Sequence, residues 1–488
     1  MIDAAAVEQA TAKLQERIPP AMQETGVPGL AFGVVFDDKV VARHWFGKRT
    51  LGQDATIDAD TVFQLASVSK SLAGSVMAGL VQKRTFAWDD PVRTGLPSFA
   101  LSDPWVSDHV SYADLFSHRS GLPDHAGDLL EDIGYNRDGV LERLRFYPLE
   151  PFRASYGYTN FGLTAAAVAG AAVAGMSWED ASRRVLYEPL GMTSTSSTLA
   201  DFLGRANKAS GHIRDSSGAW MVTSQQRRPD AQSPAGGASS SINDMVRWLH
   251  MELKKGVFEG VPVIATEALA TTWLPHFISK LPDAPERPPG FYGLGMNVSY
   301  DQCGRLRLGH SGAFALGAGT SFTMIPAERI GIIVLTNGQP VGLAEAMIQA
   351  FYDDLFHGAQ TRDWLPLLRD YFEEHVYPKP AKDFVHPPPG AAPPGPSDRY
   401  AGNYTNPVYG QFRVSQAPSG GLQVTIGPAG QSYALHPYEG DEMWWQFAGE
   451  NAGPPAAATF AGPARAPATA LTLNNDAVKG GFGTFTRP

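Results

Sequence analysis

Apolar positions recur at helical spacing over residues 3–25, predicting an amphipathic helix that ends near Gly26. Two strand-like runs follow, 30–36 and 40–46, with Asp37-Asp38 between them as a tight turn, so the pair predicts a β-hairpin. A polar loop then gives way at residues 71–81 to an apolar, helix-forming run. From Trp88 to about Asp230 the pattern is mostly helical with long loops. Within it, residues 161–178 are uncharged, a length that touches the transmembrane threshold. That run is rich in Ala and Gly rather than Leu and Ile and directly follows a polar motif, so a buried core helix is the expectation. Strand character returns near residue 310, and the apolar, β-branched runs 319–325 and 330–336 flank the turn Pro326-Ala327-Glu328-Arg329. A helical stretch from Leu343 to about Phe372 is expected to pack back on the sheet.

Strands at both ends of a helical middle predict one α+β unit over residues 1–377, its sheet completed by sequence-distant segments. The helical block, about 88–230, is an insertion on that sheet. The pattern then breaks, for six of the ten residues from Pro387 to Pro396 are proline. Such a stretch excludes helix and central strand and tends to extended geometry, so residues 378–397 read as a linker. Beyond it, short alternating runs at 411–415, 422–426, 433–438, 443–447, 468–473 and 482–486 are separated by Gly, Pro and Asn. They predict a small antiparallel β-barrel over residues 398–488.

Composition narrows the function classes. Apolar residues make up 43% of the 488 and charged residues 18%, ample for a large core. The net charge is −10 and no long Lys/Arg run occurs, which argues against nucleic acid or an anionic membrane surface as partner. The single cysteine, Cys303, lies in a turn-like stretch between two strand-like runs and allows no intramolecular disulfide. The N-terminus lacks a basic region followed by an apolar core, so a cytoplasmic protein without membrane insertion is expected. No metal-ligand spacing and no G-x-S-x-G elbow is found, so neither a metal site nor an α/β-hydrolase is expected.

Ser67-Val68-Ser69-Lys70 puts a hydroxyl and an amine one helical turn apart at a helix start. A serine is a weak nucleophile until a base takes its proton. A lysine with a lowered pKa can be that base, and helix-start N–H groups can hold an oxyanion. Alone, the motif is weak and reads first as two solvated helix-start residues. Tyr158-Thr159-Asn160 adds a phenol that can share the lysine's proton and an amide that can fix the lysine, although a core tyrosine and a helix N-cap are the bland readings. His310-Ser311-Gly312 precedes a strand-like run whose edge can dock an acyl group, with the Ala313 amide as a second oxyanion donor beside that of Ser67. Phe314 reads as an acyl-pocket lining or as core. Gly236-Gly237 reads as a close approach to substrate or as a tight turn.

In order and spacing these motifs resemble the serine hydrolases of the class C β-lactamase and penicillin-recognising family. The resemblance runs over about residues 10–360. It includes Gly26-Val27-Pro28-Gly29-Leu30-Ala31, the stretch from Phe63 to Lys70, Asp89-Asp90-Pro91-Val92 and Leu115-Phe116-Ser117-His118-Arg119-Ser120-Gly121-Leu122-Pro123. Glu188-Pro189-Leu190-Gly191-Met192, Pro234-Ala235-Gly236-Gly237 and Gly309-His310-Ser311-Gly312 complete it. Tyr400-Ala-Gly-Asn-Tyr404 and Tyr409-Gly410 resemble the lipocalin-like barrel appended to some members.

The resemblance implies a β-lactamase/transpeptidase-like antiparallel sheet flanked by helices, with the site between sheet and helical subdomain. It makes Ser67 the acylated nucleophile, Lys70 and Tyr158 its proton-transfer pair, and Asn160, His310, Ser311, Gly312, Ala313 and Phe314 the substrate-binding set. His310 stands where β-lactamases and penicillin-binding proteins usually carry a lysine. A mostly neutral histidine holds a carboxylate less firmly, so ester or amide hydrolysis is expected ahead of β-lactam hydrolysis. The leading expectation is a cofactor-independent carboxylesterase acting on a small-molecule ester. Next come a D-amino-acid-type aminopeptidase or amidase, a weak β-lactamase and an acyltransferase, with a non-catalytic binding protein as the alternative from another class. The barrel is read as a carbohydrate- or lipid-binding module, a cap on the cleft, or the contact of a homo-oligomer.

Overall fold

The computed structural model describes all residues except 1, 285–286, 378, 419, 465 and 476–480. Helix α1 (Ala4–Thr25) is capped by Asp3 at its start and ends on Gly26 in the left-handed conformation. The hairpin β1 (Gly29–Phe36) and β2 (Lys39–Gly47) follows. The Ser67 segment leads into α2 (Ser69–Val81), the central helix of the insertion is α3 (Asn160–Val173), and α4 (Ile242–Leu253) returns to the sheet. Six further strands follow: β3 (Phe277–Lys280), β4 (Gly290–Tyr292), β5 (Asn297–Tyr300), β6 (Leu306–Phe314), β7 (Ala318–Ile325) and β8 (Ile330–Thr336). The eight-stranded antiparallel sheet has the order β2-β1-β8-β7-β6-β5-β4-β3, so N-terminal and late segments do complete one sheet.

Both faces of β1 and β8 are covered, which is why their sequences are continuously apolar. Leu30, Phe32, Val34, Ile330, Ile332 and Val334 pack with α1 and with α5 (Leu343–His357). The alternate residues, among them Ala31, Val35, Ile333 and Leu335, belong to the larger core shared with the helical block. On that face Gly33 admits α4, for a Cβ there would lie 2.3 Å from Val246. The uncharged run 161–178 forms the largely buried α3 only as far as Val173, after which the chain turns and Trp178 opens a separate helix, and no single described helix is long and apolar enough to cross a membrane.

Several expectations are corrected. The helix expected from Leu343 to about Phe372 is two helices, α5 and α6 (Trp364–His375), because Gly358 takes φ 75° and ends the first. The largely helical block also holds a small hairpin, His212–Arg214 with Trp220–Val222. Strands β3 and β4 were not expected from the pattern, being short and half-exposed.

After residues 379–396, which form no helix or strand, eight strands close into an antiparallel barrel. Six are the expected ones; Gly402–Asn406 and Ala456–Ala461 are additional, and the first of these pairs with the last strand to close the ring. Its interior is packed with rings, including Phe412, Trp445, Phe482 and Phe485. The barrel docks on the helical block. Asn451 donates from its backbone and its side chain to Asp132, both at 2.8 Å, and Tyr135 donates to the Tyr409 carbonyl.

Candidate active site

The turn before α2 is pinned from two sides. Phe63 and Gln64 pair with Ser240 and Ser239, and Leu65 donates to the Ala238 carbonyl. Opposite, Thr320 of β7 donates to the Leu65 carbonyl at 2.7 Å. Gly312 of β6 passes so close that a Cβ would sit 2.2 Å from the Leu65 oxygen and 3.1 Å from the Ser67 nitrogen. Held this way, Ala66 adopts φ 47°, a left-handed conformation that costs a non-glycine residue energy, immediately before Ser67. The turn thereby presents Ser67 at the mouth of the sheet while the following helix stays buried.

Ser67, Lys70, Tyr158 and Asn160 converge. The Lys70 Nζ lies 3.0 Å from Ser67 Oγ, 2.5 Å from Asn160 Oδ1 and 2.9 Å from the Ala235 carbonyl. The Tyr158 hydroxyl donates to Ser67 Oγ at 2.9 Å, and its ring lies 4.7 Å from the ammonium. Lys70 has no solvent exposure. Burial pulls its pKa from the usual lysine range down to about 7, with the nearby Asp128 carboxylate pulling the other way. Burial pushes the Tyr158 phenol upward, partly offset by its bond to Ser67. Near neutral pH the cluster therefore offers a neutral phenol and an amine that can exist without its extra proton.

Strand β6 supplies the opposite wall. Its pairing with β5 stops at Gly309, so on that side His310 to Phe314 run past the neighbouring strand. His310 is buried, and its Nδ1 lies 2.7 Å from the Ser311 carbonyl. A carbonyl only accepts, so Nδ1 carries the hydrogen and Nε2 accepts from the Tyr292 hydroxyl at 2.9 Å. Burial first, and the Lys70 charge second, push the His310 pKa down to about 3. The ring is neutral, with both nitrogens occupied.

Not every expected residue points into this site. The Ser311 hydroxyl meets Ser321 at 3.2 Å on the other face of the sheet, as strand alternation requires between His310 and Gly312. Phe314 is buried against Ala66 and Ala318, with the Arg227 guanidinium 4.8 Å from its ring. Gly236 and Gly237 are buried, and a Cβ on Gly237 would meet the Ser233 backbone at 2.6 Å, so a tight turn accounts for that glycine. Ala313 is exposed on its strand. Cys303 is exposed in its turn, and no group of residues that could hold a metal occurs among the described residues.

Other residues here went unnoticed in the sequence. Asn160 donates through Nδ2 to Asp128, which also bonds His125. His118 pins the Tyr158 segment from both sides, its carbonyl taking the Gly157 N–H and its Nδ1 the Thr159 N–H. From the barrel, Glu450 accepts from the backbone N–H groups of Ala315 and Leu316, just past β6. Its second partner is Arg227, which is bonded to Glu131. His118 lies inside a recognisable motif; Asp128 and Glu450 have no such signal.

Comparison with known proteins agrees with this geometry. The family profile described as Beta-lactamase matches residues 14–350. The chain is 26% identical to the unguisins hydrolase ungD' of Aspergillus campestris over 82% of its own length and 76% of that protein. It is 28% identical to penicillin-binding protein 4 of Amycolatopsis lactamdurans, covering 70% of this chain and 87% of that one. Among solved structures, the octameric penicillin-binding protein homologue from Pyrococcus abyssi shares the fold, with TM-score 0.62, 20% identity, 98% of this chain covered and 100% of that one. The class C beta lactamase from Rhodobacter sphaeroides aligns with TM-score 0.57 and 23% identity over 72% of this chain and 99% of its own. A serine, a buried lysine and a tyrosine meet between sheet and helices in a chain whose residues 14–350 fit that profile: it belongs to the beta-lactamase family, as a serine hydrolase.

Proposed function

We propose that the chain is a carboxylesterase that cleaves a small ester through an acyl-enzyme on Ser67. One observation carries the reading. Besides Ser67, the Lys70 amine has two partners that only accept, Asn160 Oδ1 and the Ala235 carbonyl. A neutral amine gives them its two hydrogens, and its lone pair is left for the Ser67 hydroxyl. Lys70 takes that proton as Ser67 Oγ attacks the ester carbonyl. The backbone N–H groups of Ser67 and Ala313 hold the oxyanion. Tyr158, whose hydrogen already points at Ser67 Oγ, protonates the departing alkoxide and is reprotonated from Lys70. Water then attacks the acyl carbonyl, the same pair takes its proton and returns it to Ser67 Oγ, and the acid leaves.

The neutral His310, committed to Tyr292 and Ser311, offers no cation to a substrate carboxylate, which supports uncharged acyl substrates over β-lactams. An amidase or D-amino-acid-type aminopeptidase is the second reading. It is favoured by a relative from Escherichia coli named D-alanyl-D-alanine-carboxypeptidase/endopeptidase AmpH. The test is turnover of p-nitrophenyl butyrate and of a D-alanyl p-nitroanilide by the wild type and by Ser67→Ala. Ester turnover that rises with pH through about 7 and falls at least ~10³-fold in the variant is expected. Equal rates in both proteins would overturn the assignment, and faster anilide than ester cleavage would move it to the second reading.

A further inference from the structure

The Asn160 amide that contacts Lys70 is itself held. Its Nδ2 donates to Asp128 Oδ2 at 2.8 Å, and the same oxygen lies 2.8 Å from His125 Nδ1. A carboxylate oxygen only accepts, so the contact fixes which end of the amide faces which neighbour. Nδ2 must face Asp128, and Oδ1 must therefore face the amine. The His125 side chain is 42% exposed, whereas Asp128 is 4% exposed and Lys70 not at all. The four side chains thus form a line from the nucleophile's base to the protein surface.

Asp128 is poorly explained as a structural residue. Its second oxygen, Oδ1, is buried without a hydrogen-bond partner among the described residues. An unsatisfied buried carboxylate oxygen is destabilising, and an asparagine of the same shape would avoid the charge. Its segment is also tied to the site by backbone, since the His125 N–H donates to the Tyr158 carbonyl at 2.8 Å and His125 takes φ 58°.

We propose that Asp128 and His125 are positioning residues of the Ser67 reaction: Asp128 locks the Asn160 amide toward Lys70, and the Asp128–His125 pair sets how readily Lys70 gives up its proton. The inference rests on Lys70 acting as the base. The carboxylate favours the ammonium form of Lys70. A protonated His125 offsets that carboxylate. Burial lowers the His125 pKa, but its bond to Asp128 and the Asp128 and Asp124 charges more than compensate, so the imidazole holds its proton above the usual range.

The other titratable groups around the pair are accounted for. His118 and His310 are held neutral by burial, and the Tyr147 and Tyr158 phenols are pushed upward. Glu131 and Asp132, on the same short helix as Asp128, face Arg227, as does Glu450. Asp124 lies at the solvent side of His125.

The two halves of the pair then act in opposite directions. Asp128→Asn removes the charge that favours the ammonium, so the acidic limb of the pH–rate profile moves to lower pH, by on the order of one unit. The asparagine oxygen can still accept from Asn160 Nδ2, so the variant keeps the lock and reads the charge alone. His125→Gln keeps a hydrogen bond to Asp128 but removes the cation, so the limb moves to higher pH.

The readout is the pH dependence of Ser67 phosphonylation by a fluorophosphonate, followed in the full-length wild type and both variants, with circular dichroism as the check of fold. It needs no knowledge of the substrate. Opposite shifts support the proposal. An unchanged limb in folded Asp128→Asn, or shifts of the same sign in both variants, overturns it. Should Asp128→Asn not fold, the upward shift in His125→Gln decides alone, and its absence overturns the proposal. Failure of the wild type to label at Ser67 instead overturns the nucleophile assignment, a separate outcome.

Discussion

Glu252 lies beneath α2 with no solvent exposure, and replacing it with glutamine should change stability in a pH-dependent way. Its Oε1 bonds the Ser75 hydroxyl of α2 at 2.6 Å, and its Oε2 accepts from Trp273 Nε1 at 3.0 Å. Burial raises its pKa from 4.5 to about 7, opposed by those hydrogen bonds. Between about pH 4.5 and 7 the folded protein therefore keeps a proton that the unfolded chain has lost. Stability contributed by Glu252 is present below about 4.5, declines as pH rises, and is gone above about 7. The shift of about 2.5 units corresponds to about 3 kcal/mol at 1.36 kcal/mol per unit. A glutamine cannot ionise. Its oxygen still accepts from Trp273 and its amide still reaches Ser75, but one amide hydrogen lacks an acceptor, a cost on the order of 1 kcal/mol. Glu252→Gln should thus be less stable than wild type by about 1 kcal/mol at pH 4.5 and more stable by about 2 kcal/mol at pH 8. Urea unfolding followed by tryptophan fluorescence measures this where it arises, since Trp248 and Trp273 border the carboxyl. A stability difference that keeps one sign and size across that range would refute the reasoning.

Two substitutions test the walls of the site. Gly312→Ala places a methyl 2.2 Å from the Leu65 oxygen and 2.4 Å from Thr320 Oγ1, so β6 must retreat from Ser67. Ester kcat should fall by about 10²–10³-fold, the loss typical of a missing oxyanion donor, while circular dichroism stays native; a fall under threefold would contradict the assigned donor pair. Glu450→Ala releases the turn after β6 from the barrel, so the ratio of kcat/KM for octanoate over acetate p-nitrophenyl esters should move by about tenfold. An unchanged ratio, there and after deletion of residues 398–488, would remove the barrel from specificity.

The strands at 30–36 and 330–336 were legible because two covered faces leave almost no polar position in the run, and 319–325 because its polar residues are β-branched Thr320 and Thr323 and the small Ser321. Strands β3 and β4 were not, because both are short and partly exposed and carry mixed residues: Ile278 and Lys280 sit on β3, the strand at the sheet's open edge. The break between α5 and α6 rests on Gly358, whose meaning depends on φ, and a glycine within an apolar helical pattern is ambiguous until that angle is known. Ser67, Lys70, Tyr158 and Asn160 were legible for a chemical reason. In the proposed reaction Ser67, Lys70 and Tyr158 pass one proton among them and Asn160 holds the amine, so few residue types serve at each position and their spacing reads as a motif.

The residues that hold the motif in place are bound by a looser rule, which is why they left no pattern. Asp128 needs only to present an acceptor to Asn160, and Glu450 only two acceptors to the N–H groups of Ala315 and Leu316. Any loop that reaches the spot can supply them. Glu450 stands 135 positions from Ala315 in the chain, across the proline-rich stretch, and its approach depends on the barrel docking through Asn451 on Asp132. That docking also gathers Glu131, Asp132 and Glu450 around one guanidinium, Arg227, under the Phe314 ring. Burial raises all three carboxyls, Glu450 to about 8, so the guanidinium faces a cluster it can neutralise only in part. A cluster of that kind is weak evidence for stability. Its consequence is geometric, because the strand carrying His310, Gly312 and Ala313 ends in a turn held by the C-terminal barrel. The chemistry of the site is written in its motifs, and its rigidity comes from contacts that only the folded chain brings together.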